Sequence, residues 1–197
     1  FKCTLIYSMK RKGFFTNGGI FGVGSNFEDR FIPDYNRLKK VIDHCKGIGL
    51  KIVLTQGTYD MVHIGHARYF EEAKRHGDLL VVGVDSDKKV RARKGPHRPL
   101  VPEKERLEMV THLRPVDIVT LKDVDMPKWL LIKMIRPDVL IVTEETVQKY
   151  GKKKMAEMKE LCGEVKILEP RATTSTSAKI RLLQLKLAKR FEKAIIP

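Results

Sequence analysis

KIVLTQGTYDMVHIGHARYF, residues 51–70, is the stretch of the chain that indicates the fold most directly. Residues 51–55 are apolar and β-branched and are soon followed by a glycine, which predicts a short buried strand. From Ile64 onward, apolar residues recur at helical spacing, which predicts a helix after the strand. His63 and His66 are three residues apart, so we expect them on one face of the first helical turn.

This junction between a strand and a helix is suited to binding an anion. Backbone N–H groups and the helix dipole favour negative charge at a helix N-terminus. Two imidazoles there can donate hydrogen bonds to phosphate oxygens, and Gly65 lets a phosphate approach the backbone. The alternative is that one histidine caps the helix and the other lies on the surface. The order of strand, residues 57–60, paired histidines and helix favours phosphate binding.

A second segment with the same chemical character lies near the C-terminus. Residues 170–181 read PRATTSTSAKIR and precede an amphipathic run over 182–191. Serine and threonine before a helical pattern are typical N-caps, but one side chain satisfies only one backbone N–H. The additional hydroxyls, the exposed N–H groups and Arg171 would suit a triphosphate.

A third segment follows the second predicted strand. Residues 77–84 form that strand with its turn, and the run KKVRARKGPHRP over 88–99 comes shortly afterwards. On composition alone, the segment 88–98 is a solvated basic loop. Its position at the carboxyl end of a strand predicts ligand binding, because open α/β sheets bind ligands there.

Together these segments resemble the cytidylyltransferase-like nucleotidyltransferase superfamily over about residues 50–185. Its HxGH motif, which class I aminoacyl-tRNA synthetases share, matches residues 63–66. The spacing over 77–106 resembles the nucleotidyltransferase part of ADP-heptose synthases. Residues 57–63 are closer to ethanolamine- and glycerol-phosphate cytidylyltransferases. The resemblance implies transfer of a nucleotidyl group, CMP in preference to AMP, from a nucleoside triphosphate to a phosphorylated polyol, amino-alcohol or sugar, with release of pyrophosphate.

The resemblance also implies a role for each matched residue. The catalytic set comprises His63, His66 and Lys94. The nucleotide- and phosphate-binding set comprises Gly57, Thr58, Gly65, Asp87, Arg171, Ser175, Thr176 and Arg181. The acceptor-binding set comprises Asp60, which could instead order its turn, Arg98 and Arg106. Mg²⁺ would enter with the triphosphate, without direct protein ligands.

The chain departs from the superfamily after the predicted strand 138–142. Related enzymes carry a glycine-rich turn there, whereas this chain has Thr143-Glu-Glu-Thr146. Carboxylates accept hydrogen bonds, so this loop could recognise the exocyclic amine that cytosine and adenine carry and uracil lacks. We therefore expect CTP or ATP to be used in preference to UTP, with CTP slightly favoured.

Alternating strands and helices predict a Rossmann-like, doubly wound, parallel five-stranded α/β sheet with helices on both faces. The predicted strands are 51–55, 78–84, 116–121, 138–142 and 164–168. The predicted helices are 36–48, 64–76, 103–112, 126–135, 152–162 and 176–192. We expect residues 1–35 to be an N-terminal extension of unknown role and 36–197 to be the nucleotidyltransferase domain.

The composition of the 197-residue chain is that of a globular protein, with 42% hydrophobic residues. No apolar run reaches the roughly 18 residues of a membrane span. Three widely spaced cysteines without a CxxC motif argue against a disulfide framework or a zinc site and favour the cytoplasm. The net charge of +15 is concentrated at 88–106 and 171–193, where phosphates are expected. Nucleic-acid binding stays open but is less favoured, since basic helices are usually solvated faces.

Two alternatives to this function remain. Within the superfamily, the chain could be an adenylyltransferase acting on a heptose phosphate or a flavin precursor. From another class, it could be a non-catalytic nucleotide- or RNA-binding module, although a pure binder would not need His63, His66, Lys94 and Ser175 together. A synthetase fragment is disfavoured because the chain lacks a KMSKS run and a tRNA-binding region. We also expect a homodimer.

Overall fold

The computed structural model describes residues 26–169 and 182–186. The strands are β1 (Ile52–Gly57), β2 (Leu79–Asp85), β3 (Ile118–Lys122), β4 (Val139–Val142) and β5 (Glu164–Ile167). The helices are α1 (Phe27–Arg30), α2 (Tyr35–Gly47), α3 (Ile64–Lys74), α4 (Asp87–Lys94), α5 (Glu103–Thr111), α6 (Leu130–Ile135) and α7 (Glu144–Lys159). Residues 182–186 are also helical. None of the described helices has the length and apolar content that crossing a membrane requires.

The five strands form one parallel sheet in the order β3-β2-β1-β4-β5. Leu54 in the central strand β1 is in register with Val81 of β2 and Leu140 of β4. The chain runs outward from β1 to β3 and then returns to place β4 on the other side of β1. Such a reversal opens a crevice beyond the carboxyl ends of β1 and β4, where ligands bind in this architecture. The predicted parallel, five-stranded α/β fold is confirmed.

Helices cover both faces of the sheet because successive strand residues point to opposite sides. Leu54 belongs to the buried cluster that includes Leu38 of α2. Val53 belongs to the opposite cluster, with Phe70 of α3 and Val110 of α5. The sheet is therefore doubly wound, as predicted, and its buried faces fix the strand ends that carry the site.

Residues that precede the predicted domain boundary also pack on the sheet. Ile32 is buried in the core, Phe31 forms a parallel bridge with Val119, and Arg30 donates to the Val116 carbonyl over 2.9 Å. The boundary between residues 35 and 36 stays a prediction.

The prediction that the basic segment 88–98 is a loop is wrong for its first part, which is helix α4. Ser86 caps this helix by accepting a hydrogen bond from the Lys89 N–H, and Gly95 ends it at φ 94°. The helix buries a single side chain, that of Val90. One buried residue cannot produce an apolar period, so the sequence pattern gave no helical signal.

The predicted helix 152–162 begins eight residues earlier, at Glu144. Thr143 caps it by accepting from the Thr146 N–H over 3.3 Å, so the segment expected to be a loop is a helix start. Gly151 has φ 68° and kinks the helix. This left-handed glycine interrupts the periodicity and conceals the first turns. The last predicted helix, 176–192, is described only over 182–186.

Candidate active site

The two histidines form a reciprocal capping box at the start of α3. His63 is the N-cap rather than a first-turn residue, and its Nδ1 accepts from the Gly65 N–H over 3.1 Å. His66 Nδ1 accepts in turn from the His63 N–H over 3.3 Å. A nitrogen that accepts is unprotonated, so Nε2 carries the proton in each neutral ring. The capping alternative and the predicted donor role are therefore compatible, because they use different nitrogens.

The histidine rings, whose centroids are 4.1 Å apart, border a cavity of about 560 Å³ that we call the histidine cavity. It lies beyond the carboxyl ends of β1 and β4, between the starts of α3 and α7 and the end of α4. Predicted site residues on its wall are Gly57, Thr58, Asp60, His63, Gly65, His66, Lys94 and Arg98. Polar residues that the sequence did not single out for the site include Gln56, Arg93, Lys149 and Tyr150.

The turn between β1 and α3 adopts an uncommon backbone conformation. Tyr59 and Met61 have φ values of 52° and 53°, in the left-handed region that costs free energy for residues with side chains. The Tyr59 ring packs on Phe70 at a centroid distance of 5.0 Å and meets His66 edge-on at 5.8 Å. A Cβ at Gly57 would lie 2.9 Å from this ring. Glycine at that position therefore lets Tyr59 cross the strand end and support the histidines.

Asp60 holds a second loop, residues 98–101, against the site. Its buried carboxylate accepts from the N–H groups of Leu100 and Val101 at 3.1 and 3.0 Å. It also pairs with Arg98 Nη2 at 2.9 Å, which holds Arg98 on the cavity wall. This geometry supports an ordering role for Asp60, extended from its own turn to residues 98–101. Contact with an acceptor stays a prediction.

Arg106 lies below the site rather than in it. Its side chain is 1% exposed, and it donates to the carbonyls of Val101, Thr58 and Asp85 and to the Asp87 carboxylate. Neither Arg106 nor Asp87 lines either of the cavities described here. The geometry thus does not support the expected acceptor contact of Arg106, because its donors face protein oxygens. It ties together the ends of β1, β2 and the loop before α5.

Lys94 stands at the rim of the histidine cavity, at the last position of α4. Partial burial of the ammonium lowers its pKa, and the neighbouring charges of Arg93 and Arg98 lower it further. Glu145 and Asp60 act in the opposite direction. An anion bound beside such a lysine stabilises its charged form and raises its pKa again.

A second cavity of about 390 Å³ adjoins the first, and we call it the tryptophan cavity. Its apolar wall includes Trp129, Leu131, Ile132 and Val142. Its cationic wall is formed by Lys89, Arg93, Lys122, Lys128 and Lys154. The residues common to both cavities are Gln56, Gly57, Arg93, Thr146 and Tyr150. An extended ligand or two ligands in contact could therefore occupy the pair.

Asp85 organises the cationic wall of the tryptophan cavity. Its carboxylate is 2% exposed and lies 3.0 Å from Arg93 Nη2 and 3.3 Å from Lys122 Nζ. Burial lowers the pKa of Lys122, and Asp85 counteracts that effect. Asp85 and Lys122 end the neighbouring strands β2 and β3, so strand position alone could have identified them as site candidates.

Four predicted phosphate-binding residues lie outside the described residues: Arg171, Ser175, Thr176 and Arg181. Within the described part of the chain, no group of three or more histidine, cysteine or carboxylate side chains is arranged to hold a metal ion.

Comparison with known proteins matches residues 54–194 to a family described as cytidylyltransferase-like. The bifunctional protein HldE of Geobacter metallireducens is 36% identical over 143 residues, covering 68% of this chain and 29% of that protein. HldE of Hahella chejuensis is 36% identical over 163 residues, covering 76% and 32%. The chain thus spans about a third of the length of these relatives.

Among solved structures, the lipopolysaccharide core biosynthesis protein from Thermoplasma volcanium GSS1 is similar, with a TM-score of 0.51 and 30% identity. The match covers 64% of this chain and 100% of that one. The family match extends over most of the residues that build the two cavities and includes both histidines. Because this match extends over more than half of the sequence, the chain belongs to the cytidylyltransferase-like family.

Proposed function

We propose that the chain transfers a nucleotidyl group from a nucleoside triphosphate to a phosphorylated small molecule and releases pyrophosphate. A phosphate oxygen of the acceptor attacks the α-phosphorus in line. The bond from the α-phosphorus to the oxygen that bridges it to the β-phosphate breaks, and pyrophosphate leaves with the electron pair. No covalent enzyme intermediate is needed, since positioning and charge stabilisation suffice.

The observation that carries this proposal is the pair of imidazoles fixed by the capping box. Backbone N–H groups occupy both Nδ1 atoms, so the proton of each neutral ring is on Nε2, the atom through which it would donate to a phosphate. Two donors held beside a helix N-terminus can stabilise the charge that develops on α-phosphate oxygens. Lys94 and Arg98 on the same wall add positive charge.

The two adjoining cavities suit the two substrates. We assign the nucleoside triphosphate to the histidine cavity and the body of the acceptor to the tryptophan cavity. The reacting phosphates would then meet at the residues that the cavities share. Ser175 and Thr176 would contact the β- and γ-phosphates, and Arg171 or Arg181 would neutralise charge, as the resemblance implies.

Mg²⁺ fits this site as an ion that arrives with the triphosphate. Asp60, a buried carboxylate on the cavity wall, is committed to two N–H groups and to Arg98. Mg²⁺ retains several waters and readily binds substrate phosphates. When bound, the ion would neutralise charge on the triphosphate, and the protein would hold the phosphates rather than the metal.

For the nucleotide, we favour CTP over ATP. The acceptor would be a polyol, amino-alcohol or sugar phosphate, and the active species would be a homodimer. A second candidate is adenylyl transfer to a heptose phosphate. The similarity to a protein of lipopolysaccharide core biosynthesis supports a sugar phosphate as acceptor.

The test is a panel of nucleotides and acceptors scored by pyrophosphate release. CTP, ATP, GTP and UTP are each combined with glycerol 3-phosphate, phosphoethanolamine and several sugar phosphates in the presence of Mg²⁺. We expect release that depends on one class of acceptor and is greatest with CTP or ATP. Release that no acceptor increases, together with measurable nucleotide affinity, would favour the non-catalytic binding module instead.

A further inference from the structure

Arg93 lies where the two cavities meet, and no sequence motif assigns it a role. It belongs to the last turn of α4 and lines both cavities. Its Nη2 donates to Thr58 Oγ1 over 2.6 Å and pairs with Asp85 Oδ2 at 3.0 Å. Thr58 follows β1 directly, and the Asp85 carboxylate is 2% exposed. These two acceptors therefore hold the guanidinium in a fixed orientation.

The contacts of Arg93 leave donors for a ligand. A guanidinium carries five N–H groups, and both of these protein contacts involve Nη2. Nε and Nη1 have no acceptor among the described residues. The Arg93 side chain is 35% exposed, so a ligand in the cavity can reach it. Arginine held in this way is suited to a phosphate, which accepts several N–H bonds at once.

The charges around Arg93 also favour a dianion. Asp85 lies between Arg93 and Lys122, so one carboxylate faces two cations. Lys94 is close enough to Arg93 for its pKa to be lowered by that charge. The carboxylates near Lys94 are Glu145 and Asp60, and Asp60 is already paired with Arg98. The boundary between the cavities therefore has an excess of positive charge.

We propose that Arg93 binds the phosphate of the acceptor at this boundary and presents its oxygen to the α-phosphorus. This inference rests on the proposed function and adds a specific residue to it. Thr58 and Asp85 are positioning residues that hold the guanidinium. Lys94 lines the histidine cavity but not the tryptophan cavity. Its charge would therefore act on the phosphates of the nucleotide, while Arg93 would hold the phosphate of the acceptor.

The test compares Arg93→Ala, Arg93→Lys and a matched control, Arg91→Ala. Arg91 is on the same helix, is exposed and lines neither cavity. With the acceptor that the wild type uses best, Arg93→Ala should raise the acceptor KM about tenfold and lower kcat roughly 10²-fold. Nucleotide affinity, measured by calorimetry, should stay at the wild-type value. Arg93→Lys should recover part of kcat, and Arg91→Ala should behave as wild type.

A separate binding measurement distinguishes this inference from the proposed function. Inorganic phosphate is titrated into the wild type, Arg93→Ala and Arg91→Ala, with far-ultraviolet circular dichroism to verify folding. Weaker phosphate binding in Arg93→Ala alone would support the anion site even if no acceptor releases pyrophosphate. Equal phosphate affinity in all three proteins, or an unchanged acceptor KM and kcat in Arg93→Ala, would overturn the role of Arg93.

Discussion

At the scale of single residues, His63 and His66 each combine a structural and a chemical role. The Nδ1 atoms cap α3, and this contact determines which ring nitrogen carries the proton. The two roles predict separable effects on stability and turnover, because a different side chain can satisfy the same backbone N–H.

We predict that His63→Ala lowers turnover by about 10²–10³ and also weakens the helix cap by about 1 kcal/mol. His63→Asn should keep the cap, since an amide oxygen can accept from the Gly65 N–H, but should lose turnover almost as severely. Pyrophosphate release and urea unfolding measure the two effects. His112→Ala, at the exposed histidine that follows α5, is the control. Near-wild-type turnover in both His63→Ala and His66→Ala would refute the donor role.

Lys94 predicts a pH dependence. Burial beside Arg93 and Arg98 lowers its pKa, so the ammonium loses its proton at a lower pH than an ordinary lysine. Since the charged form binds phosphate, kcat/KM should decline on the alkaline side as pH rises through this lowered pKa. Lys94→Arg should move that decline to higher pH while restoring only part of the rate. Lys94→Ala should lose about 10²-fold in rate. An alkaline limb that is the same in Lys94→Arg would show that another group titrates.

Residues matched by motifs could be predicted to lie together, but the partners of long side chains could not. Asp60 and Arg98 both line the histidine cavity as expected. The burial of Arg106 depends on carbonyls at 58, 85 and 101, which only the folded sheet brings together. Arg93 was hidden among neighbouring basic residues, since composition does not reveal which cation a buried Asp85 holds.

At the scale of elements, the start of α7 changes how the base would be recognised. Glu144 and Glu145 occupy its first turn, where carboxylates are stabilised by the helix N-terminus. Glu145 lines the histidine cavity, whereas Glu144 lines neither cavity. The apolar runs of β2 and β4 could be predicted from the sequence, because these strands are buried along their whole length. This helix start could not, because it is polar and is followed by the Gly151 kink.

We predict that Glu145 contributes to base selection and that Glu144 does not. Glu145→Gln should reduce the preference for CTP or ATP over UTP, because the amide replaces a carboxylate that accepts from an exocyclic amine. Glu144→Gln is the matched control. Calorimetric titration of CTP, ATP and UTP into each variant measures the preference. Equal affinity for all three nucleotides in the wild type, unchanged in Glu145→Gln, would refute base selection by this turn.

At the scale of the whole molecule, Arg106 links the elements that carry the site. It joins the ends of β1 and β2 to α4 through Thr58, Asp85 and Asp87. Arg106→Met would leave the Asp87 carboxylate and three carbonyls without this donor, so we expect a loss of about 3–5 kcal/mol in the free energy of unfolding. Arg114→Met, at an exposed arginine, should change it little. Urea unfolding measures the free energy of unfolding of both variants. Equal values for Arg106→Met and Arg114→Met would show that Arg106 does not stabilise the link between these elements.

Labelled nucleotide distinguishes attack on the α-phosphorus from attack on the γ-phosphorus. Wild-type protein is incubated with the preferred acceptor and either α-³²P- or γ-³²P-labelled nucleoside triphosphate, and the products are separated by chromatography. We expect the α-label on the acceptor and the γ-label in pyrophosphate. Transfer of the γ-label to the acceptor, or release of the γ-label as inorganic phosphate with no α-label on the acceptor, would contradict it.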